Sequence, residues 1–356
     1  MEFSDIKTEL IRITDPDQQQ SDIARAAACI RQGGLVVFPT ETVYGLGGDA
    51  TNASSAKKIY AAKGRPSDNP LIIHVASPED AADYAQLCPT YERLARAFMP
   101  GPLTVILPRK QTIPKDTTGG LETVAVRCPV HPVARALIRA AGVPIAAPSA
   151  NISGKPSPTC ARHVAEDMNG RVDFILDGGD CEIGLESTIV AVTGEDRVTL
   201  LRPGAITYDA LCMVVTHVEI ARAVSEKLGD NEKPLSPGMK YRHYAPDAPV
   251  VLLDGSDIAA LSFLLREQHT HRCAILCYDE EYARLIENVD DHSLLFPIGK
   301  AADVASHAKT LFTALREADR AKPDIIYAHL PSKEGLGLAL YNRMIRASAH
   351  TVLNVD

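Results

Sequence analysis

Four cations, Lys57, Lys58, Lys63 and Arg65, fall between positions 57 and 65 with no acidic residue among them, in a chain whose formal charge is −8. A Lys-x-Arg turn with Gly64 at its centre, where backbone N–H groups are freed, suits a polyanion such as a nucleotide triphosphate. Arg202, followed by Pro203 and Gly204, adds a cation at a strand end. A solvated helix face leading into a proline-rich loop would carry the same charges. The order of strand, glycine turn, basic loop and second strand across residues 35–74 favours a binding site instead.

A second set comprises Thr42, His74, Arg127 and Ser187. Arg127 can fork onto a carboxylate, and the hydroxyls can position an amine or alcohol. A lone histidine such as His74 is more often structural. Thr42, Ser149, Ser157 and Ser187 each stand where a strand meets a small-residue loop. One such hydroxyl is usually a turn former, but the repetition points to a shared pocket. The chain has no Ser-His-Asp order, Cys-His pair, HExxH or Walker Lys-Ser/Thr motif. The chemistry that remains is positioning without a covalent nucleophile.

These residues need elements to hold them. An apolar strand at 35–38 ends at Pro39; Gly45, Gly47 and Gly48 form a turn; residues 53–62 read as a helix; and 71–75 form a second strand carrying His74. A helix at 22–31 precedes them, capped by Ser21 and ended by Gly33-Gly34. Helices are expected at 80–86, 90–99, 131–141 and from Thr159 to 168, and strands at 103–107, 123–128, 143–147, 174–176, 189–192 and 199–201. Several connections look like hairpins, so the expectation is a twisted mixed α/β sheet rather than a purely doubly wound one.

With 356 residues the chain exceeds one ordinary core, so two domains are expected. Residues 1–216 form the first domain. Residues 217–246 form a linker containing Ser236-Pro237-Gly238-Met239-Lys240-Tyr241-Arg242-His243-Tyr244-Ala245-Pro246, too aromatic and basic for an inert spacer. A Pro-flanked connector would be stiff, whereas the functional reading is a flap that closes over the site. Residues 247–356 read as a smaller Rossmann-like α/β domain, with strands at 250–253, 273–278, 294–298 and 324–328 and helices at 303–321 and 338–349. Its Gly335-Leu336-Gly337 turn is explained by chain geometry.

The eight cysteines sit singly in apolar contexts, so they read as reduced thiols, without a zinc site. No apolar run approaches the ~20 residues of a membrane span, and the polar start of the chain has no signal-peptide pattern. A cytoplasmic, membrane-free protein is expected. The acidic total argues against tight non-specific nucleic-acid binding.

The blocks FPTETVYGLG, KGRPSDNPLIIH, MPGPLTVIL, VAVRCP, APSANISGKPSPT, ESTIV, LLRPGAI and SPGMKYRHYAP occur in this order. Together they closely resemble the YrdC/Sua family of threonylcarbamoyl-adenylate synthases, in its long two-domain form. The resemblance covers essentially the whole chain and is strongest over residues 20–210 and the linker. It implies a concave, positively lined cavity. It also implies condensation of L-threonine, bicarbonate and ATP to threonylcarbamoyl-AMP and pyrophosphate, for threonylcarbamoyladenosine in tRNA. Carried over by motif, Thr42, His74, Arg127, Ala147 and Ser187 fall at the threonine-binding positions. Lys63, Arg65, Asn69, Thr123, Ser149, Ser157, Arg202 and Tyr244 fall on the nucleotide side, and Asn151 joins them from the Ser-Ala-Asn motif. Magnesium is expected to travel with the ATP phosphates and not in a protein-built metal site. A downstream tRNA threonylcarbamoyl transferase complex is the expected partner, and a weak RNA contact fits a concave basic surface.

Gly45-x-Gly47-x-x-Ala50 after a strand mimics a dinucleotide fingerprint, which would imply an NAD-dependent oxidoreductase. The strand ends too early, however, and no acidic residue closes a strand about 20 residues later. A non-catalytic RNA-binding module is a third reading, opposed by the acidic total and the lack of aromatic stacking platforms.

Overall fold

The computed structural model describes residues 6–226, 243–288 and 294–356. They separate into two units: residues 6–153 with 157–226, and residues 154–156 with everything from 243 onward.

In the first unit the order is β1 (Glu9–Arg12), α1 (Gln20–Arg31), β2 (Val36–Phe38), β3 (Gly45–Asp49), α2 (Ala53–Lys63) and β4 (Ile72–His74). Then come α3 (Pro89–Phe98), β5 (Leu103–Pro108), β6 (Thr123–Arg127), α4 (Pro132–Ala141), β7 (Ile145–Ala146), α5 (Ala161–Met168) and β8 (Phe174–Asp177). The unit continues with β9 (Thr188–Gly194), β10 (Arg197–Arg202), α6 (Tyr208–Cys212) and β11 (His217–Ile220). The strands form one sheet in the order β1-β8-β2-β3-β7-β4-β6-β5-β9-β10-β11, with parallel and antiparallel pairs. This is the expected mixed α/β architecture.

Alternation sorts the residues between the two faces. One face carries Ile73, Val105, Val126, Val190 and Leu200, packed in one core with α2, α3, α5 and α6. The other face is divided. Ile23, Ala27 and Ile30 of α1 and Leu137 and Ile138 of α4 cover Val36, Phe38, Ile145 and Leu176. Farther along, Ile72, Ile106, Ala125, Ile189 and Leu201 form a separate small cluster, to which Ala223 is the only helical contribution among the described residues. His74, Arg127 and Arg202 stand on that thinly covered stretch.

Several local readings differ from expectation. The glycine segment is a buried strand, β3, antiparallel to β2. Gly47 is needed for packing: a Cβ there would lie 2.7 Å from Ile145 Cγ2 and 2.8 Å from Phe38 Cε1. A hairpin strand cannot supply the strand-turn-helix of a dinucleotide fingerprint, so that reading falls. Helix α1 starts two residues earlier than a Ser21 cap allows, with Gln19 preceding it, and Cys160 rather than Thr159 precedes α5. The expected helix at 80–86 is a 3₁₀ turn, Glu79–Asp83. Residues 217–220, read as the start of the linker, form β11 and pair in parallel with β10. The linker motif at 236–242 lies outside the described residues.

The second unit contains β12 (Val250–Asp254), α7 (Asp257–Glu267), β13 (Cys273–Cys277), α8 (Asp279–Leu285) and β14 (Leu295–Pro297). After these come α9 (Val304–Arg320), β15 (Ile325–His329), α10 (Gly337–Ala347) and β16 (Val352–Asn354). Its sheet runs β14-β13-β15-β12-β16, every pair parallel. The final strand β16 has no hydrophobic alternation to announce it, because all three residues are exposed. Among the described residues no helix is long and apolar enough to cross a membrane.

Candidate active site

Sheet register places His74 and Arg127 of the second set in one row with Arg202. Ile145 on β7 pairs with His74 on β4, His74 with Arg127 on β6, Arg127 with Thr104 on β5, Thr104 with Ile189 on β9, and Ile189 with Arg202 on β10. Paired residues in adjacent strands share a face. His74, Arg127 and Thr104 therefore stand side by side on the thinly covered face, with Ser187 just before β9. The irregularity between Leu200 and Arg202 brings Arg202 into the row one residue late.

Arg127 is buried and donates from Nη2 to Glu41 Oε1 at 2.7 Å, with both side chains 5% exposed. The Val130 N–H reaches the other Glu41 oxygen at 3.3 Å. Arg127 Nε is buried with no hydrogen-bond partner among the described residues. A buried donor left unsatisfied costs about 1–3 kcal/mol, a cost that a bound carboxylate would remove. His74 Nδ1 lies 3.2 Å from Ile145 O, and burial first and the Arg127 charge second push its pKa down to about 3. The ring is uncharged at neutral pH, so it adds no competing charge beside Arg127.

Thr40 Oγ1 donates to Val43 O at 2.6 Å and lies 2.8 Å from Thr42 Oγ1. A hydroxyl has one proton, so Thr42 must be the donor in that pair, and its own lone pairs stay open to a ligand's N–H or O–H. Ser187 Oγ meets Thr104 Oγ1 at 2.8 Å and Arg202 Nη2 at 3.2 Å, while Arg202 Nε donates to Ser187 O at 3.0 Å. Ala147 uses its N–H on Ile72 O at 2.9 Å, which leaves its carbonyl as the main-chain group it can offer.

Of the four expected cations, two turn elsewhere. Lys57 is exposed and pairs with Asp116 at 3.5 Å, and Lys58 donates to Gly33 O at 2.6 Å. Lys63, the last residue of α2, is buried and donates to Ser149 O at 2.5 Å, Asn151 O at 2.6 Å and Asn151 Oδ1 at 3.3 Å. The left-handed Gly64, φ 62°, closes the helix and sets this direction. Arg65 Nη2 donates to Asn69 O at 3.2 Å and Pro70 O at 3.0 Å. Asn69 Oδ1 is buried with no partner among the described residues. Lys63, Ser149 and Asn151 thus form one group, and Arg65 and Asn69 a second beside it. Thr123 shares a face and a strand with Arg127, roughly 13 Å away at about 3.3 Å per residue.

Ser157 Oγ donates to Glu186 Oε1 at 2.5 Å, both residues being buried. Tyr244 lies in the second unit, stacked on Phe312 at 5.3 Å with the Arg343 guanidinium 5.7 Å from its ring centre. Its φ of 61° is a left-handed conformation that a bulky side chain rarely adopts. Three participants were not anticipated: Glu41, Thr104 and Glu186. Glu41 had a signal, since it is the only acidic residue between positions 35 and 48 and an acid in such an apolar block needs a partner.

A family profile described as "Telomere recombination", Sua5/YciO/YrdC, matches residues 28–204. A second, the threonylcarbamoyl-AMP synthase C-terminal domain, matches residues 206–349. The chain is 44% identical to threonylcarbamoyl-AMP synthase of Bacillus subtilis, across 99% of this chain and 98% of that one. It is also 44% identical to the enzyme of that name from Pyrococcus abyssi, across 93% and 95%. Among solved structures, P. abyssi Sua5 complexed with L-threonine superposes with a TM-score of 0.87 at 42% identity, covering 98% of this chain and 99% of that one. These full-length matches agree with the mixed sheet: the chain belongs to the Sua5/YciO/YrdC family, in the form that carries the threonylcarbamoyl-AMP synthase C-terminal domain.

Proposed function

We propose that this protein is an L-threonylcarbamoyladenylate synthase. It condenses L-threonine, bicarbonate and ATP to threonylcarbamoyl-AMP, pyrophosphate and water. The observation that carries this reading is the row across the sheet, which sets an unsatisfied Arg127 Nε beside an uncharged His74; outside the row, the Thr42 hydroxyl keeps lone pairs able to accept from an ammonium group. Arg127 holds the threonine carboxylate. Thr42, Ser187 and the Ala147 carbonyl hold its amine and hydroxyl. Lys63, Arg65, Asn69, Thr123, Ser149, Asn151, Ser157 and Arg202 face the nucleotide. The family resemblance assigns Tyr244 to the nucleotide as well.

The threonine amine takes up bicarbonate to give a carbamate, and a carbamate oxygen attacks the α-phosphorus as pyrophosphate leaves. Lys63 and Arg65 neutralise the charge that develops there. Their present carbonyl partners are exchanged for phosphate oxygens. The charge of the leaving pyrophosphate would be offset by magnesium carried with the ATP phosphates. Orientation supplies most of the rate, since no side chain stands as a covalent nucleophile. The product serves threonylcarbamoyladenosine formation in tRNA through a downstream transferase complex in the cytoplasm.

Pyrophosphate release from ATP tests the proposal. Release should require both threonine and bicarbonate, and omission of either should return it to background. Release independent of threonine would overturn it.

A further inference from the structure

The second unit holds a cavity of about 140 Å³ that the threonine–ATP chemistry does not use. It opens at the carboxyl ends of β13 and β15, which are neighbours in the sheet. After β13 the chain passes through α8 to β14 on one side, and after β15 through α10 to β16 on the other. Such a reversal point, at the carboxyl ends of parallel strands, is where open α/β sheets bind ligands. The walls from α9 and α10 are apolar, with Val304, Leu311, Leu340 and Met344. An apolar cavity of about 150 Å³ holds benzene, so this one admits a body no larger than a six-membered ring.

The polar part of the wall is a stack of three rings, of which His307 is buried and the other two are partly exposed. Tyr278 is stacked between two histidines, His329 at 4.7 Å and His307 at 5.0 Å. His329 Nε2 lies 2.7 Å from Glu281 Oε1, and His307 Nε2 lies 2.8 Å from Lys300 O. Both partners are acceptors, so in the neutral rings Nε2 carries the hydrogen and each Nδ1 keeps a lone pair. Among the described residues neither Nδ1 has a hydrogen-bond partner. Nearby carboxylates are engaged elsewhere: Glu281 Oε2 accepts from Tyr278 N–H, Glu280 from Ala301 N–H, and Asp303 caps α9. On the opposite wall α10 begins at Gly337 without a side-chain cap, which leaves backbone N–H donors there.

We infer that this cavity is a binding site for a small neutral molecule with a ring-sized apolar body and a hydroxyl group. The hydroxyl donates to an imidazole Nδ1 and accepts from the first turn of α10, and the ring fills the apolar space.

The probes are phenol, toluene of the same ring size without a hydroxyl, and benzoate, titrated into the whole chain by saturation-transfer NMR. Phenol should bind saturably, at least about 10-fold tighter than toluene, the worth of one hydrogen bond. Ala301→Trp, at an exposed rim position, should block phenol; His307→Phe, which keeps the ring stack, should reduce its affinity to that of toluene. No saturable phenol binding, or binding untouched by Ala301→Trp, overturns the site. Equal affinity for toluene, or tighter binding of benzoate, overturns the hydroxyl assignment. Threonine-dependent pyrophosphate release from the same preparations reads the first unit separately, so the two proposals fail independently.

Discussion

Lys63 and Arg65 donate to backbone carbonyls of the loops they would share with a nucleotide. Replacing either with alanine should lower the rate of pyrophosphate release by about 100-fold, the scale of one preorganised charge contact. Full activity in both variants would remove the cationic end of the site. Glu41 acts through Arg127. Glu41→Gln should raise the threonine KM about 10-fold and change kcat little, because the contact it aligns is made in ground and transition states alike. His74 governs an acid window. Its folded pKa near 3 lies below the ordinary value of 6.5. Between those values the unfolded chain binds the extra proton, so stability falls as pH drops through the window, by up to about 1.4 kcal/mol per pH unit. His74→Gln should flatten that part of a urea-denaturation profile. An unchanged slope would mean that His74 is charged in the folded protein.

At the scale of elements, the glycines of β3 are a packing device. Gly47→Ala should cost about 1–3 kcal/mol through the clash with Ile145 and Phe38, measured as a lower midpoint in chemical unfolding. Much of this architecture is readable from the chain. Thr123 to Arg127 alternates, and the structure uses that alternation to put Val124 and Val126 in the core and Thr123, Ala125 and Arg127 on the other face. The hydroxyls and cations of the site stand in the blocks that carry the family resemblance. What the chain conceals is register. Nothing local to His74 says that it pairs with Arg127, or that Thr104 continues the row, since those neighbours are set by strand order across the whole sheet. Charge counting also misleads: Lys57 and Lys58 lie on the same helix as Lys63, but helical spacing turns them toward Asp116 and Gly33. Short edge strands such as β11 and β16 expose most of their residues and so leave no periodic trace.

The whole molecule joins a mixed-sheet unit carrying the row of site residues to an all-parallel unit carrying its own cavity. One site in the first unit is proposed to hold an amino acid and an adenine nucleotide together. Mass spectrometry of a reaction containing ATP, L-threonine and ¹³C-bicarbonate tests this most directly. The predicted result is threonylcarbamoyl-AMP one mass unit heavier than the unlabelled species, abolished by Arg127→Ala and by Lys63→Ala. Pyrophosphate formed without any labelled adenylate, or labelled product that survives loss of both side chains, would contradict it.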